Sequence, residues 1–225
     1  MRSSRRLPLE VLQPFLLDVP HPGFLPPNSP LLAPQPPIDW PKLFGNDHPV
    51  EIEVGFGKGL FLAQQGEARP DVNFLGIEIE RKYTLLAATR LAKRNLHNVQ
   101  LACTDARWFL RERIATASVA AMHVYFPDPW WKNRHKKRKL FTSDFIIECA
   151  RVLRRASRLH FVTDVLEYFN ESLALLQEVP DLQPLPMPAP EAPAQQEAPF
   201  LTNFERKYRL EGRPIHRAVF EKISD

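Results

Sequence analysis

Cysteine is scarce in this chain of 225 residues, which contains two, Cys103 and Cys149. Both lie in apolar stretches without a Cys-x-x-Cys spacing or histidine-rich neighbours, which argues against a metal site and against a disulfide scaffold. Long apolar runs are lacking as well, and none reaches the length of a signal peptide or of a membrane span. We therefore expect a cytosolic protein with buried free thiols, no metal and no membrane partner.

Proline is nearly absent from the middle of the chain. Twelve of the 23 prolines lie in residues 1–49 and seven in 180–199, whereas 50–179 contains three. Because proline cannot donate to a hydrogen-bond ladder and disfavours helix at the preceding residue, we expect an N-terminal arm over 1–49 and an irregular insertion over 180–199. The remaining chain, 50–225, is the predicted domain.

Within that domain, apolar β-rich runs alternate with segments of helical periodicity. This alternation predicts a doubly wound α/β domain with a mostly parallel sheet. Two further β-like runs, 203–209 and 215–222, flank a Gly-Arg-Pro turn and predict an antiparallel hairpin at the C-terminal end. The predicted strands are 50–54, 73–79, 99–103, 119–126 and 159–163, and the predicted helices are 60–68, 82–95, 107–115, 143–153 and 166–178.

Acidic residues stand at the predicted carboxyl ends of three successive strands: Glu53, Glu78 and Asp105. Ligands of open α/β sheets bind beyond these ends. Each acid alone has an ordinary explanation as a solvated strand end, but three in register favour a binding site. Glu78 is placed to take two ribose hydroxyls, and Asp105 to accept a hydrogen bond from an adenine amino group.

The glycines after the first strand, Gly55, Gly57 and Gly59, allow the backbone to approach a ligand closely. A tight strand-to-helix turn is the alternative interpretation. A dinucleotide fingerprint requires glycine at position 60, where Leu60 stands, so the spacing disfavours an oxidoreductase and matches the Gly-x-Gly-x-Gly form of methyltransferases.

The fourth strand leads into a stiff turn, in which Asp128 stands between Pro127 and Pro129. Trp130 and Trp131 either stack on a base or cap the core. Six of the next eight residues, 132–139, are Lys or Arg, although the whole chain carries a net charge of only +4. Any nucleic-acid surface must therefore be local, and this basic run is either a phosphate clamp or a solvated face.

In these segments the chain resembles the bacterial-type tRNA (guanine-N7-)-methyltransferases, over roughly residues 50–225. The departures are Trp131, Asn133 and Asn203, where the family often has other residues, and the proline-rich arm, which has no match. The matching stretches are Glu53-Val54-Gly55-Phe56-Gly57, Gly76-Ile77-Glu78, Phe126-Pro127-Asp128-Pro129-Trp130, Lys132, Arg134-His135, Lys137-Arg138, Thr163-Asp164, Tyr168 and Thr202-Asn203-Phe204-Glu205.

The resemblance implies a Rossmann-like class I methyltransferase, monomeric or homodimeric, that uses S-adenosylmethionine (SAM) to methylate N7 of a tRNA guanosine in the variable loop. It implies roles for individual residues. Asp128 would be catalytic. The cofactor would be bound by Glu53, Gly55, Gly57, Gly59, Glu78, Ile79, Asp105, Ala106 and Asp128. The guanosine would be bound by Lys132, Asp164, Thr202, Asn203, Phe204 and Glu205, and the RNA by Arg134, His135, Lys136, Lys137, Arg138 and Lys139.

Guanine N7 carries an in-plane lone pair, so its methylation requires no base to remove a proton. Asp128, Asp164 and Glu205 would stabilise the developing positive charge. Three alternative functions share part of this pattern. Methylation of an exocyclic amine commonly uses an Asn/Asp-Pro-Pro-aromatic turn, whose second proline is missing here. Pyrimidine C5 methylation needs a cysteine nucleophile, and neither Cys103 nor Cys149 lies at a strand end beside a proline. A silent RNA-binding module would keep the basic run but could lose the strand-end acids.

Overall fold

A computed structural model describes residues 7–130, 139–186 and 202–224 of the chain. The chain divides into two compact units, Met1–Ala115 and Thr116–Asp225. None of the helices in the described ranges combines the length and the apolar character needed to cross a membrane.

The first unit contains a parallel sheet of four strands in the order β1-β4-β3-β2. Nearly all residues of β2 and β3 are buried, as expected for parallel strands covered on both faces. The strands are β1 (Leu16–Leu17), β2 (Val50–Val54), β3 (Asn73–Glu78) and β4 (Val99–Cys103).

Each of the three longer strands is followed by a helix, as predicted. The close fit of the first two helices depends on Gly59, where a Cβ atom would come within 2.6 Å of the Cβ of Ala87. These helices are α3 (Leu60–Ala68), α4 (Arg81–Ala92) and α5 (Ala106–Arg113), and two short ones precede them, α1 (Leu9–Leu12) and α2 (Trp40–Phe44).

The proline-rich N-terminal segment contributes to the first unit. β1 pairs with β4, and the side chains of Leu12 and Phe15 are 2% and 3% exposed. The indole of Trp40, at the start of α2, is also buried. Between these points the chain forms short 3-10 turns at Pro22–Phe24 and Pro30–Leu32, whose first residue is in each case proline.

In the second unit, β5 pairs with β6 in parallel, while β8 pairs antiparallel with both β6 and β7. These strands are β5 (Val119–Tyr125), β6 (Leu153–Thr163), β7 (Leu182–Pro184) and β8 (His216–Lys222). The helices are α6 (Ser143–Val152), α7 (Leu166–Gln177) and α8 (Asn203–Leu210). The mostly parallel arrangement with antiparallel strands near the C-terminus is confirmed.

The predicted hairpin between residues 203–209 and 215–222 is wrong. Residues 203–209 lie in α8, and β8 pairs with β6 on one side and with β7 on the other. The helix begins where the Thr202 side chain accepts a hydrogen bond from the Glu205 amide, 3.0 Å away. Thr-Asn-Phe-Glu is a capping-box sequence, and this start signal outweighs the β-like character predicted for residues 203–209.

Candidate active site

The glycines after β2 form an open loop at the carboxyl end of that strand. Gly55, Gly57 and Gly59 all have positive φ, at 76°, 53° and 63°, which a non-glycine residue adopts only with strain. A Cβ atom on Gly55 or Gly57 would meet no atom of the described residues within 4 Å. The loop therefore leaves room beside its backbone, in contrast to the tight packing at Gly59.

Glu53 is a buried carboxylate without a complete set of partners. Its side chain is 2% exposed, and its Oε2 atom has no hydrogen-bond partner among the described residues. Burial, and to a lesser degree the charge of Glu78, raise the pKa of Glu53 well above its ordinary value. Because a buried unsatisfied acceptor is costly, this atom is suited to accept a hydrogen bond from a ligand.

Glu78, the last residue of β3, connects the glycine loop to the next strand end. Its carboxylate accepts hydrogen bonds from the backbone amides of Gly57 (2.9 Å) and Glu80 (3.0 Å). Burial raises its pKa, and the amide hydrogen bonds oppose that rise. Ile79, the next residue, exposes 51% of its apolar side chain at the same strand end.

Asp105 begins α5 and is held by its own helix. Its carboxylate accepts from the Arg107 amide and, at 2.6 Å, from the Arg107 guanidinium. Burial alone would raise the pKa of Asp105, but the bonds to Arg107 outweigh it and the pKa is lowered. The Arg107 Nε atom also donates to this carboxylate at 3.1 Å, so a ligand donor at Asp105 must share an oxygen with Arg107. Ala106, at the first helical position, is buried.

The turn after β5 is strained at both ends. Phe126 and Trp130 adopt positive φ values of 50° and 47°, which are uncommon for bulky residues. The Phe126 amide donates to the Val162 carbonyl oxygen (2.7 Å), and Asp128 lies between the strained positions. The Asp128 side chain is exposed, yet its partial burial raises its pKa.

α8 packs aromatic side chains against this turn. The ring of Phe126 lies 5.4 Å from Tyr208 and 6.3 Å from Phe204, centroid to centroid. Phe204 is nevertheless 49% exposed, so one side of the aromatic group faces solvent. The Arg213 guanidinium lies over the Tyr208 ring and donates to Asp164 at 3.2 Å.

Glu205 is fully buried on α8, where its Oε1 atom accepts hydrogen bonds from Arg209 and, at 2.6 Å, from Arg217 of β8. This pairing satisfies a buried charge and ties the helix to the sheet. No role for Arg209, Arg213 or Arg217 was predicted from the sequence. The capping box was the signal that could have placed the first of them, since it puts Glu205 and Arg209 one helical turn apart.

The predicted site residues thus fall into two groups. The first unit brings together Glu53, the three glycines and Glu78, with Asp105 and Ala106 at the next strand end. The second unit brings together the Asp128 turn, Thr202, Phe204 and, through Arg213, Asp164. Lys139, at the end of the basic run, pairs with Glu171 and lies over the Tyr168 ring. Outside the described residues lie Lys132, Arg134, His135, Lys136, Lys137, Arg138 and the side chain of Asn203.

Comparisons with known proteins identify the family. A family model described as "Putative methyltransferase" matches residues 47–218. The tRNA (guanine-N(7)-)-methyltransferase of Rhodopirellula baltica is 44% identical over 187 residues, in an alignment covering 81% of this chain and 69% of that protein. The chain belongs to the tRNA (guanine-N(7)-)-methyltransferase family. A family member from Bacillus velezensis is 34% identical over 190 residues, covering 81% of this chain and 83% of its own length.

A solved structure supports the predicted fold class. The SAM-dependent O-methyltransferase of Thermotoga maritima matches with a TM-score of 0.53 at 18% identity, over 84% of this chain and 68% of that one. At this identity the likeness concerns the fold alone. The Rossmann-like fold of SAM-dependent methyltransferases is therefore confirmed for this member of the tRNA (guanine-N(7)-)-methyltransferase family.

The first unit fits the cofactor that this family and fold imply. SAM presents an ammonium group, ribose hydroxyls and an adenine amino group, all of which donate hydrogen bonds. The strand ends offer the matching acceptors, including the unpaired Oε2 of Glu53, and the loop at Gly55 and Gly57 leaves space beside the backbone.

Proposed function

We propose that this chain transfers the methyl group of SAM to N7 of a guanosine in tRNA, forming 7-methylguanosine. The observation that carries the proposal is the 44% identity to a tRNA (guanine-N(7)-)-methyltransferase over four fifths of the chain. The strand-end carboxylates support it, because a catalytically silent RNA-binding relative would have no need of Glu53 with an unpaired buried oxygen.

The residues of the first unit bind the cofactor. Glu53, Glu78 and Asp105 accept hydrogen bonds from its donor groups, the backbone at Gly55, Gly57 and Gly59 lies along it, and Ile79 and Ala106 provide apolar contact. Asp128 belongs to this set as well, on the basis of the family resemblance. When bound, SAM supplies an electrophilic methyl group on a sulfonium centre.

The residues of the second unit bind the guanosine. Guanine presents an imino and an amino hydrogen on one edge, and carboxylates are the acceptors that distinguish it from adenine. Asp164 and Glu205 have this chemistry, but each is already bonded to arginine. Asp164 is therefore the direct acceptor once Arg213 has released its carboxylate. Glu205 acts mainly by holding α8 in place, and α8 with its N-cap carries Thr202, Asn203 and Phe204.

The methylation requires no proton transfer, because N7 already carries a lone pair in the plane of the ring. The residues contribute by positioning and by electrostatics, and proximity alone is worth roughly 7–11 kcal/mol in favourable cases. The methylated base is cationic, and the Asp128 carboxylate stabilises that charge. Partial burial raises the pKa of Asp128, so activity should fall as the pH drops toward that raised pKa and the carboxylate is protonated.

Several finer assignments complete the proposal. The target guanosine lies in the variable loop, Lys132 meets the guanosine, residues 134–139 bind the RNA, and the enzyme works in the cytoplasm as a monomer or homodimer. Residues 1–49 form an arm that docks on the methyltransferase domain of residues 50–225.

The test is incubation of the purified protein with methyl-labelled SAM and an unmodified tRNA transcript, followed by nucleoside analysis. We expect label in 7-methylguanosine, and chain cleavage at the modified base then locates it. Label in an exocyclic N-methylguanosine would show that the enzyme methylates an exocyclic amine and not N7. Absence of label, with tRNA bound, would favour the silent RNA-binding module.

A further inference from the structure

The chain that follows β1 runs along the edge of the first unit where the acidic residues lie. β1 is parallel to β4, with Leu16 opposite Leu101 and Leu17 opposite Ala102. Parallel strands present their carboxyl ends at the same edge of a sheet, so residues 18–24 emerge beside the loops that follow β3 and β4. We name residues 18–24 the edge segment.

Two hydrogen bonds fasten the edge segment to those loops. The hydroxyl of Thr104 donates to the carbonyl oxygen of Pro20 at 2.8 Å. The Nε2 atom of His21 lies 3.3 Å from the carbonyl oxygen of Ile79, and since a carbonyl only accepts, the imidazole is the donor. Each loop residue is a direct neighbour of a site carboxylate, because Thr104 precedes Asp105 and Ile79 follows Glu78.

Packing alone does not fix the edge segment. A cavity of about 420 Å³ lies between it and the residues of α4 and β4, and its lining includes His21, Phe24, Leu85 and Cys103. Phe24 is 80% exposed. Since the apolar contact beneath the segment is incomplete, the two polar ties carry more of its positioning. Thr104 is 1% exposed, so water has little access to its hydroxyl when the bond is broken.

We propose that the edge segment is a positioning element for the adenosine half of SAM. The Thr104–Pro20 bond holds the loop that presents Asp105, and the His21–Ile79 bond holds the loop that presents Glu78 and the exposed Ile79 side chain. Pro20 and His21 act through these loops and not by touching the cofactor. The proposal rests on the assignment of Glu78 and Asp105 to the cofactor, made under the proposed function.

The test measures binding, by calorimetry, of S-adenosylhomocysteine and of 5′-methylthioadenosine, which has the adenosine half without the amino acid. Thr104→Val keeps the shape of the side chain and removes its hydroxyl. We expect this variant to lower the affinity for both ligands by the same factor, about 3–10-fold, as for the loss of one or two ordinary hydrogen bonds. His21→Ala should weaken both ligands similarly, and Thr104→Ser, which restores the hydroxyl, should bind as the unmodified protein does.

Gln100 offers a matched control. Its side-chain amide donates to the Pro14 carbonyl oxygen at 2.9 Å, which ties the same N-terminal segment to the same strand, but near the start of β4. Gln100→Met removes that tie and leaves the carboxyl-end loops intact. We expect no change in affinity for either ligand, and a loss equal to that of Thr104→Val would show general loosening and overturn the proposal.

Glu78→Ala separates this proposal from the cofactor assignment. If Glu78→Ala leaves the affinity for S-adenosylhomocysteine unchanged, the cofactor assignment fails and the edge-segment proposal fails with it. If Glu78→Ala weakens binding while Thr104→Val and His21→Ala bind normally, the assignment stands and the edge-segment proposal alone is overturned. Should Thr104→Val fail to fold, His21→Ala decides, since His21 is only half-buried.

Discussion

At the scale of single residues, Glu53 combines a cost to stability with an expected gain in binding. The folded protein buries this carboxyl and raises its pKa, so ionised Glu53 destabilises the fold at neutral pH. Glu53→Gln removes the charge but keeps the size. We expect the free variant to melt several degrees higher at pH 8, where about 1 kcal/mol corresponds to roughly 2–4 °C, and to bind S-adenosylhomocysteine more weakly.

The pH dependence of the melting temperature tests whether ionisation of Glu53 causes the difference in stability. Above the ordinary value of 4.5 the unfolded chain has released the Glu53 proton while the folded chain still holds it, so stability falls as the pH rises toward the raised pKa. Glutamine does not titrate. The difference in melting temperature between variant and unmodified protein should therefore grow from pH 5 to pH 8, and a constant difference would assign it to packing.

In the proposed reaction, Asp128 is the residue whose charge is expected to matter most. Removing an electrostatic contact to the transition state typically costs roughly 10²–10³-fold in kcat. We expect Asp128→Ala and the isosteric Asp128→Asn to lose at least about 10²-fold in single-turnover rate, with unchanged melting because the side chain is exposed. A fully active Asp128→Asn would show that shape, and not charge, is what the turn supplies.

The positions of the three acids at strand ends were predictable from the sequence, but their hydrogen-bond partners were not. Three acids at strand ends follow from strand periodicity and from the topology of parallel sheets. The hydrogen bonds of Glu78 to Gly57 and of Asp105 to Arg107 depend on loop backbone angles, which periodicity does not encode. Glu205 was predicted to meet the guanosine, and its burial between Arg209 and Arg217 could be seen only once β8 was placed.

At the scale of elements, α8 depends on the cap at Thr202. Replacing a capping threonine costs about 1 kcal/mol, and α8 carries Phe204 and Tyr208 against the strained turn at Phe126. We expect Thr202→Val to speed amide hydrogen exchange in α8 and to lower kcat/KM for tRNA about fivefold, with unchanged affinity for S-adenosylhomocysteine. Thr202→Ser should behave as the unmodified protein. Faster exchange without a change in kcat/KM would remove α8 from the substrate site.

The basic run is an element known from the sequence alone, since most of it lies outside the described residues. Replacing Arg134, Lys136, Lys137 and Arg138 together by Gln should raise the KM for tRNA strongly. Each lost phosphate contact should also reduce the log–log salt slope of binding by roughly 0.7–0.9. A control with the same change in net charge replaces four scattered, exposed residues, Lys42, Lys82, Lys93 and Arg154. Equal effects of the two variants would show that tRNA binding responds to net charge alone and not to the basic run.

At the scale of the whole molecule, periodicity predicted the five strand–helix pairs with most boundaries within two residues. It missed the start of β6 and two very short strands. β6 begins six residues before its predicted start, where Arg154 and Arg155 are exposed, and it is placed by pairing of Leu153 with Val119. β1 and β7 have two and three residues. Such short strands form only because they pair with neighbouring strands. Pairing between residues far apart in the sequence leaves no local pattern from which the strand can be predicted.

The N-terminal segment should be part of the cooperative fold of the first unit. Phe15 is buried and stacks on His97, with the ring centroids 5.2 Å apart. We expect Phe15→Ala to lower the free energy of unfolding by roughly 3–5 kcal/mol, measured by urea denaturation. Phe24→Ala removes an exposed ring nearby and should change it by less than about 0.5 kcal/mol. An equally small effect of Phe15→Ala would favour an arm independent of residues 50–225.

The pairing of β1 with β4 also orders events on the ribosome. Pro14 and Gln100, which are joined by a hydrogen bond, lie 86 residues apart. At roughly 5–20 residues per second, the N-terminal segment must wait about 4–17 s after its own synthesis before its partner strand has been translated. Its twelve prolines keep it from forming a competing helix or ladder during that interval. The N-terminal segment thus docks only after β2 and β3, which follow it in the sequence, have been synthesised.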